Sequence, residues 1–387
     1  MLDLSAATDR DRLVGFARKL IQTPSLSMEE EAVSGVIAGE MEDLGYDEVQ
    51  VDALHNVVGT LKGSGDGPRL LFNGHSDHAG VGGMEEPFSG KIIDGVSFGY
   101  QGRVIYGRGA VDMKGAVAAM VQAGGAIKRL GVKLKGDVLI SAVVREEMAY
   151  GEGIRALLQS GMSADFAVSG EASRLNVMVG HRGKFECEIT TLGRTSHGGF
   201  PQGGINAIFK MNRLLTALQE EYELPEHPFL GRATVTCLDI NASPGALTPI
   251  VPDRCTAVID RRFLPEETEE SLLEGFRALC SRLASSDAGF RAEVRTRKWF
   301  PAMFTEPASP IVQAVLEARR KVMGAPGEIG AWYFGVDGTF LNQAGIPCVG
   351  FGPGNEYLAH TPNDSVPLQE LITACQVYTQ LMVDLCG

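Results

Sequence analysis

Between Asp9 and Leu20 apolar residues recur at helical spacing (Leu13, Phe16, Ala17, Leu20), and Thr23-Pro24-Ser25 ends the element. A second helical pattern (Ala32, Val33, Val36, Ile37, Met41, Leu44) follows Ser27 and a glutamate-rich turn, and stops at Gly45. Residues 49–51 and 57–61 read as short strands. The run Leu70-Leu71-Phe72-Asn73-Gly74-His75-Ser76-Asp77 then reads as a buried strand whose C-terminal end reaches a surface. Residues 79–102 are glycine-rich and predict an irregular loop of functional length. Asp112 stands where the turn Gly107-Arg108-Gly109 enters a helix over 116–130. Apolar strands at 138–144 and 166–168 end in Arg145-Glu146-Glu147 and Ser169-Gly170-Glu171. Strands alternating with helices, with polar groups gathered where strands end, predict an α/β sheet whose site lies along that edge.

Near Gly180 the pattern changes. Residues 184–192 alternate apolar with polar, as a strand with one wet face does. A helix over 205–218, strands over 233–240 and 255–263, a helix over 272–283 and a strand over 290–294 follow. The order β-α-β-β-α-β is that of a ferredoxin-like unit. It predicts a small domain, 180–295, inserted into a larger one formed by 1–179 and 296–387. The larger pattern resumes with a helix over 311–323, a strand over 347–351 and a final helix over 367–385.

The length, 387 residues, suits two cores. A net charge of −13 argues against nucleic acid or an anionic membrane as partner, since each would need a basic surface. The acidic start and the absence of any run of about 18 apolar residues predict a soluble, cytoplasmic protein. Seven cysteines, never in a C-x-x-C pair, read as small core residues in a reducing compartment. A metal here would therefore need histidine and carboxylate ligands.

His75, Asp112, Glu147, Glu171 and His360 supply such ligands, each beside a glycine or at a predicted strand end. A metal with open coordination takes two or three of them, and a paired site needs one carboxylate able to bridge. Alternate strand residues point the same way, so the Asp77 carboxylate can accept the second ring N–H of His75. Adjacent Glu146 and Glu147 cannot both ligate one metal comfortably; one can ligate while the other serves a water as general base. A solvated acidic turn is the plainer reading of a Glu-Glu pair, but not behind so apolar a strand.

The motifs Gly74-His75-Ser76-Asp77, Gly107 to Gly115, Glu146-Glu147, Gly170-Glu171, Thr195-Ser196-His197-Gly198, Asp260-Arg261-Arg262 and His360-Thr361-Pro362-Asn363-Asp364 occur in this order across nearly the whole chain. In them the chain resembles the dinuclear-zinc aminoacylase and carboxypeptidase family that contains acetylornithine deacetylase, succinyl-diaminopimelate desuccinylase and glutamate carboxypeptidase. Gly180 to Lys184, Asn206 to Met211 and Pro228 to Gly231 look closest to its selenium-metabolism-linked hydrolase branch. The resemblance implies a zinc-exopeptidase-like α/β catalytic domain with an inserted ferredoxin-like domain that serves as lid and dimerisation surface. It implies two divalent ions, zinc first with cobalt or manganese as alternatives. Asp112 would bridge them, His75 and Glu171 completing one site, Glu147 and His360 the other. Glu146 would be the base, Asp77 the support of His75, and His197 an oxyanion donor supplied across a homodimer. Arg262 would bind a substrate carboxylate, a role with which an ordinary ion pair to nearby Asp260 competes, and Asp337 lies in the loop expected to touch substrate. Two departures from the family pattern stand out: Pro249-Ile250-Val251-Pro252 where many relatives carry an asparagine, and Gly335-Val336-Asp337-Gly338. The expected reaction is hydrolysis of the amide bond of an N-acyl amino acid or similar small carboxylate. A dipeptidase or carboxypeptidase on the same machinery, and a binding protein of the same fold without catalysis, are the alternatives.

Overall fold

The computed structural model describes residues 3–148 and 150–387. It divides into two compact units: one runs to Gly180 and resumes at Phe304–Ala331 and Val336–Gly387, and the other comprises His181–Met303 with Trp332–Gly335.

In the first unit, strands Val138–Val143, Leu70–His75, Phe166–Ser169 and Cys348–Gly350 lie side by side and parallel. Val57–Leu61 pairs antiparallel with Val138–Val143, and Glu48–Val51 with Val57–Leu61. Every residue of Leu70–His75 and of Val138–Val143 is buried, as expected of strands covered on both faces. The helix Gly115–Leu130 packs closely on this sheet: a Cβ at Gly74 would come within 2.8 Å of Met120 and 3.1 Å of Val117. On the C-terminal helix Leu368–Cys386, Tyr378 meets the Phe72 ring edge-on at 5.3 Å and donates its hydroxyl to the Phe351 carbonyl at 2.5 Å. Such an aromatic pair contributes about 0.5–1.5 kcal/mol beyond its buried area.

This register sets the site. Residues 70–75 pair with 138–143 and residues 70–73 with 166–169, so three parallel strands end on the same side of the sheet, within two residues of one another in register. His75 closes the first, while Glu146-Glu147 and Glu171 follow the other two.

Residues 79–102 are not wholly irregular, as the glycine content suggested. Lys91–Asp94 is a strand, and Val96–Phe98 is a turn of 3₁₀-helix. That strand pairs with Arg103–Tyr106, which pairs in turn with Ser365–Pro367 from near the C-terminus. Four residues between glycines carry little periodicity, and the partner that completes the sheet is remote in sequence.

The second unit is a four-stranded antiparallel sheet in the order Thr234–Ser243, Arg254–Phe263, Gly183–Leu192, Arg291–Phe300. With helices Ala207–Glu220 and Glu269–Ser286 it has the split β-α-β connectivity of a ferredoxin-like fold. Phe185, Cys187, Ile189, Met211, Leu214, Ile259 and Phe276 form its core. The boundary expected at residues 295/296 is corrected: it would cut strand Arg291–Phe300, whose pairing with Gly183–Leu192 continues to Phe300. Helix Ala207–Glu220 begins two residues later than expected because the Asn206 side chain caps it, accepting from the Ile208 N–H at 2.9 Å.

Candidate metal centre

At the end of its strand, His75 is 1% exposed. Its Nδ1 faces the Asp77 backbone carbonyl at 3.1 Å and the Asp77 carboxylate at 3.4 Å. The carbonyl, rather than the carboxylate expected from strand alternation, is thus the nearer acceptor. Either oxygen holds the proton on Nδ1 and turns Nε2 toward the site. Nε2 lies 2.9 Å from Asp112 Oδ1, 3.5 Å from Glu171 Oε1 and 4.0 Å from Glu146 Oε2.

Asp77 does more than back the ring. Its Oδ2 accepts from the Ser27 hydroxyl at 2.7 Å and the Glu147 N–H at 3.2 Å, and Oδ1 accepts from the Glu146 N–H at 3.2 Å. One buried carboxylate therefore orients both the histidine and the paired glutamates.

Asp112 has extended rather than helical angles (φ −130°, ψ 90°) just before helix Gly115–Leu130. Its other oxygen, Oδ2, lies 3.1 Å from Nε2 of His360, which also lies 2.8 Å from Glu147 Oε2. His360 holds a left-handed backbone (φ 60°), uncommon for a residue with a side chain and characteristic of functional positions. Behind these loops Asp364, fully buried, accepts from the N–H groups of Gly109 at 2.7 Å and Val111 at 2.8 Å, and pairs with Arg108 at 3.1 Å. The loop bearing Asp112 and the segment bearing His360 are tied together through that one carboxylate.

Two overlapping clusters result: His75, Asp112 and Glu147, and His75, Glu146 and Glu171, with ligand atoms in each within 4.8 Å of one another. The donor set is imidazole nitrogen and carboxylate oxygen, which suits a borderline divalent ion such as zinc. The charge balance also fits. Burial, compounded by the Asp112 charge, pushes Glu171 up to about 8, and the same two causes raise Glu147. Burial raises Glu146 well above the usual carboxylate range. Asp112 is held low because hydrogen bonds from His360 and His75 outweigh its burial. Carboxylates crowded in this way need added positive charge to ionise together, and divalent ions supply it.

Asp337 is 3% exposed at the start of helix Gly338–Gln343, yet its side chain makes no capping bond and its Oδ2 has no hydrogen-bond partner among the described residues. Burial pushes it up to about 7. His197 and Arg262 belong to the other unit. His197 is exposed, and its Nδ1 accepts from the Gly199 N–H at 3.0 Å, which puts the neutral ring's proton on Nε2. Arg262 is forked onto Asp260, with Nε at 2.8 Å and Nη2 at 3.3 Å. The ordinary ion pair that competes with carboxylate binding is thus present. Sequence reasoning gave no part in this site to Ser27, Asp364 or Glu30. Asp364 lies within a quoted motif, but nothing in its spacing shows that it reaches back to Gly109 and Val111.

Residues 71–384 match Peptidase family M20/M25/M40. The chain is 33% identical over 385 residues to the Escherichia coli K12 protein YgeY, described as uncharacterized, covering 95% of this chain and 92% of that one. It is 28% identical over 416 residues to the N-formyl-4-amino-5-aminomethyl-2-methylpyrimidine deformylase of Bacillus subtilis, covering 98% and 95%. Among solved structures, the Bacillus subtilis YXEP protein, a dinuclear metal binding peptidase, superimposes with a TM-score of 0.75 at 21% identity, over 98% of each chain. No helix among the described residues is long and apolar enough to cross a membrane. With a histidine and carboxylate cluster at the strand ends of this fold, the chain belongs to the M20/M25/M40 peptidase family and is a metal-dependent amidohydrolase.

Proposed function

We propose that the protein removes the acyl group from an N-acyl amino acid or a related small carboxylate. His75 and Glu171 would hold one divalent ion, Glu147 and His360 a second, and Asp112 would bridge them. The observation that carries this reading is the Asp112 carboxylate, whose two oxygens face different histidines at 2.9 and 3.1 Å. Zinc is the ion proposed. Bound metals polarise the scissile carbonyl and lower the pKa of a bound water.

Glu146 takes the water's proton and returns it to the leaving amine. Geometry alone would also admit Glu146 as a ligand beside His75 and Glu171. We assign it as base because, of the two glutamates grouped with His75 there, its oxygen is the farther from Nε2, at 4.0 Å against 3.5 Å for Glu171. Asp337, buried with a free oxygen, is assigned to the substrate's polar end, and Arg262 to a substrate carboxylate that would compete with Asp260.

The protein is proposed to act as a homodimer in which His197 of one subunit donates Nε2–H to the oxyanion at the partner's site. Its tautomer supports that role. So does strand Thr234–Ser243, which lies at an end of the sheet order and leaves Leu238 and Ile240 56% and 50% exposed.

A hydrolysis screen over N-formyl, N-acetyl, N-succinyl and N-carbamoyl amino acids and dipeptides tests the substrate class. Turnover of N-acyl amino acids is expected. Turnover of dipeptides alone would replace this reading with a dipeptidase.

A further inference from the structure

Beyond strand Val138–Val143 the chain turns sharply, and Arg145, not a glycine, takes a left-handed backbone (φ 59°). That conformation is costly for a residue with a Cβ, so the surroundings must impose it. Four successive backbone N–H groups leave the ladder here, and each meets a side-chain acceptor from earlier in the chain. Val144 donates to Asn56 Oδ1 at 3.0 Å and Arg145 to Glu30 Oε1 at 3.0 Å. Glu146 and Glu147 donate to the two oxygens of Asp77, each at 3.2 Å.

Glu30 is the unexpected member of this set. It is 3% exposed and occupies the N-cap position of helix Glu31–Asp43, yet makes no capping bond to that helix. The same Oε1 also accepts from the Met28 N–H at 2.9 Å. Arg145's own guanidinium is engaged elsewhere, with Glu152 at 2.5 Å, and among the described residues no ion pair accompanies the burial of Glu30. A buried carboxylate bonded to backbone amides at the residue preceding Glu146 is placed to fix the direction in which Glu146 leaves the strand.

We propose that Glu30 is a positioning residue for Glu146: by accepting the Arg145 N–H it holds the left-handed turn that aims the catalytic carboxylate. The proposal rests on Glu146 being the general base. Glutamine keeps the acceptor, while methionine keeps the length without it.

The test compares Glu30→Gln and Glu30→Met in the metal-loaded enzyme on the best substrate of the screen above, alone and combined with Glu146→Gln. Expected is a loss of about 10²-fold in kcat for Glu30→Met, the cost of roughly 1 Å of misplacement, with KM and the visible spectrum of the cobalt-substituted protein unchanged. Glu30→Gln should stay within about threefold of the parent, since it can still accept the Arg145 N–H. In the Glu146→Gln background, Glu30→Met should cost nothing more, because the group it positions is gone. Equal losses in the Gln and Met variants, or a full loss persisting in the Glu146→Gln background, would overturn the proposal. If Glu146→Gln alone leaves turnover intact, the general-base assignment fails instead. Amide exchange over residues 144–147 then decides for Glu30: exchange no faster in Glu30→Met than in Glu30→Gln contradicts it.

Discussion

His360 Nε2 lies 3.1 Å from Asp112 Oδ2, although 248 positions separate the two residues in the chain. Hydrogen bonds to Asp112 and then Glu147 raise His360 to about 10. Without metal, a histidine whose pKa is raised in the fold adds stability that is complete below its unfolded value near 6.5 and fades as pH climbs toward 10. The melting temperature of the metal-free protein should therefore fall between pH 7 and 10 relative to the metal-loaded protein. Metal affinity should rise over the same window, since metal must displace the His360 proton. Parallel melting curves for the two forms across that range would contradict this.

Glu146→Gln should retain its metal and lose about 10² to 10⁴ in turnover, the usual share of a general base. Glu147→Gln removes an oxygen 2.8 Å from His360 and should lose metal instead. Metal analysis alongside kcat separates the two, and identical behaviour would refute the division of labour.

Asp364→Ala leaves Arg108, 2% exposed, charged without its partner and strips the acceptor from two buried N–H groups. A loss of about 3–5 kcal/mol in denaturant unfolding is expected, as for other broken buried ion pairs. Metal retention should weaken with it. A change within about 0.5 kcal/mol, typical of open surface positions, would show that the tie between the Asp112 loop and the His360 segment is dispensable.

How far this was legible in the sequence depended on the distance over which each residue acts. The runs 70–77 and 138–144 announced buried strands ending in polar groups, because continuous apolar composition before a glutamate pair has few other physical explanations. The inserted β-α-β-β-α-β pattern was equally visible. The strand Lys91–Asp94 was not, being four residues long and paired through Arg103–Tyr106 with Ser365–Pro367. Nor was the work of Glu30 and Asp364, whose partners are backbone N–H groups 115 and more than 250 residues away. Side-chain bonds to backbone leave no trace in the partner's residue type. Strand alternation put the Asp77 carboxylate behind His75, and the Asp77 carbonyl is in fact closer; the strand ends at His75, so alternation does not extend to Asp77.

His197→Ala should cost roughly 10²–10³ in kcat, the value of one oxyanion donor. Co-refolding inactive His197→Ala chains with inactive Glu146→Gln chains tests donation across a dimer. Each mixed dimer would then carry one site with both lesions and one with neither, so activity should reappear. A mixture that demonstrably exchanges subunits yet stays inactive rules out donation from the partner.

Metal content against turnover shows whether hydrolysis depends on ions held at this site. Prolonged chelation followed by titration with zinc or cobalt, read as hydrolysis of an N-acyl amino acid, should abolish activity and then restore it as the ions bind, up to two per chain, around His75, Asp112, Glu147, Glu171 and His360. Undiminished turnover by protein shown to be metal-free would contradict a metal-dependent hydrolysis.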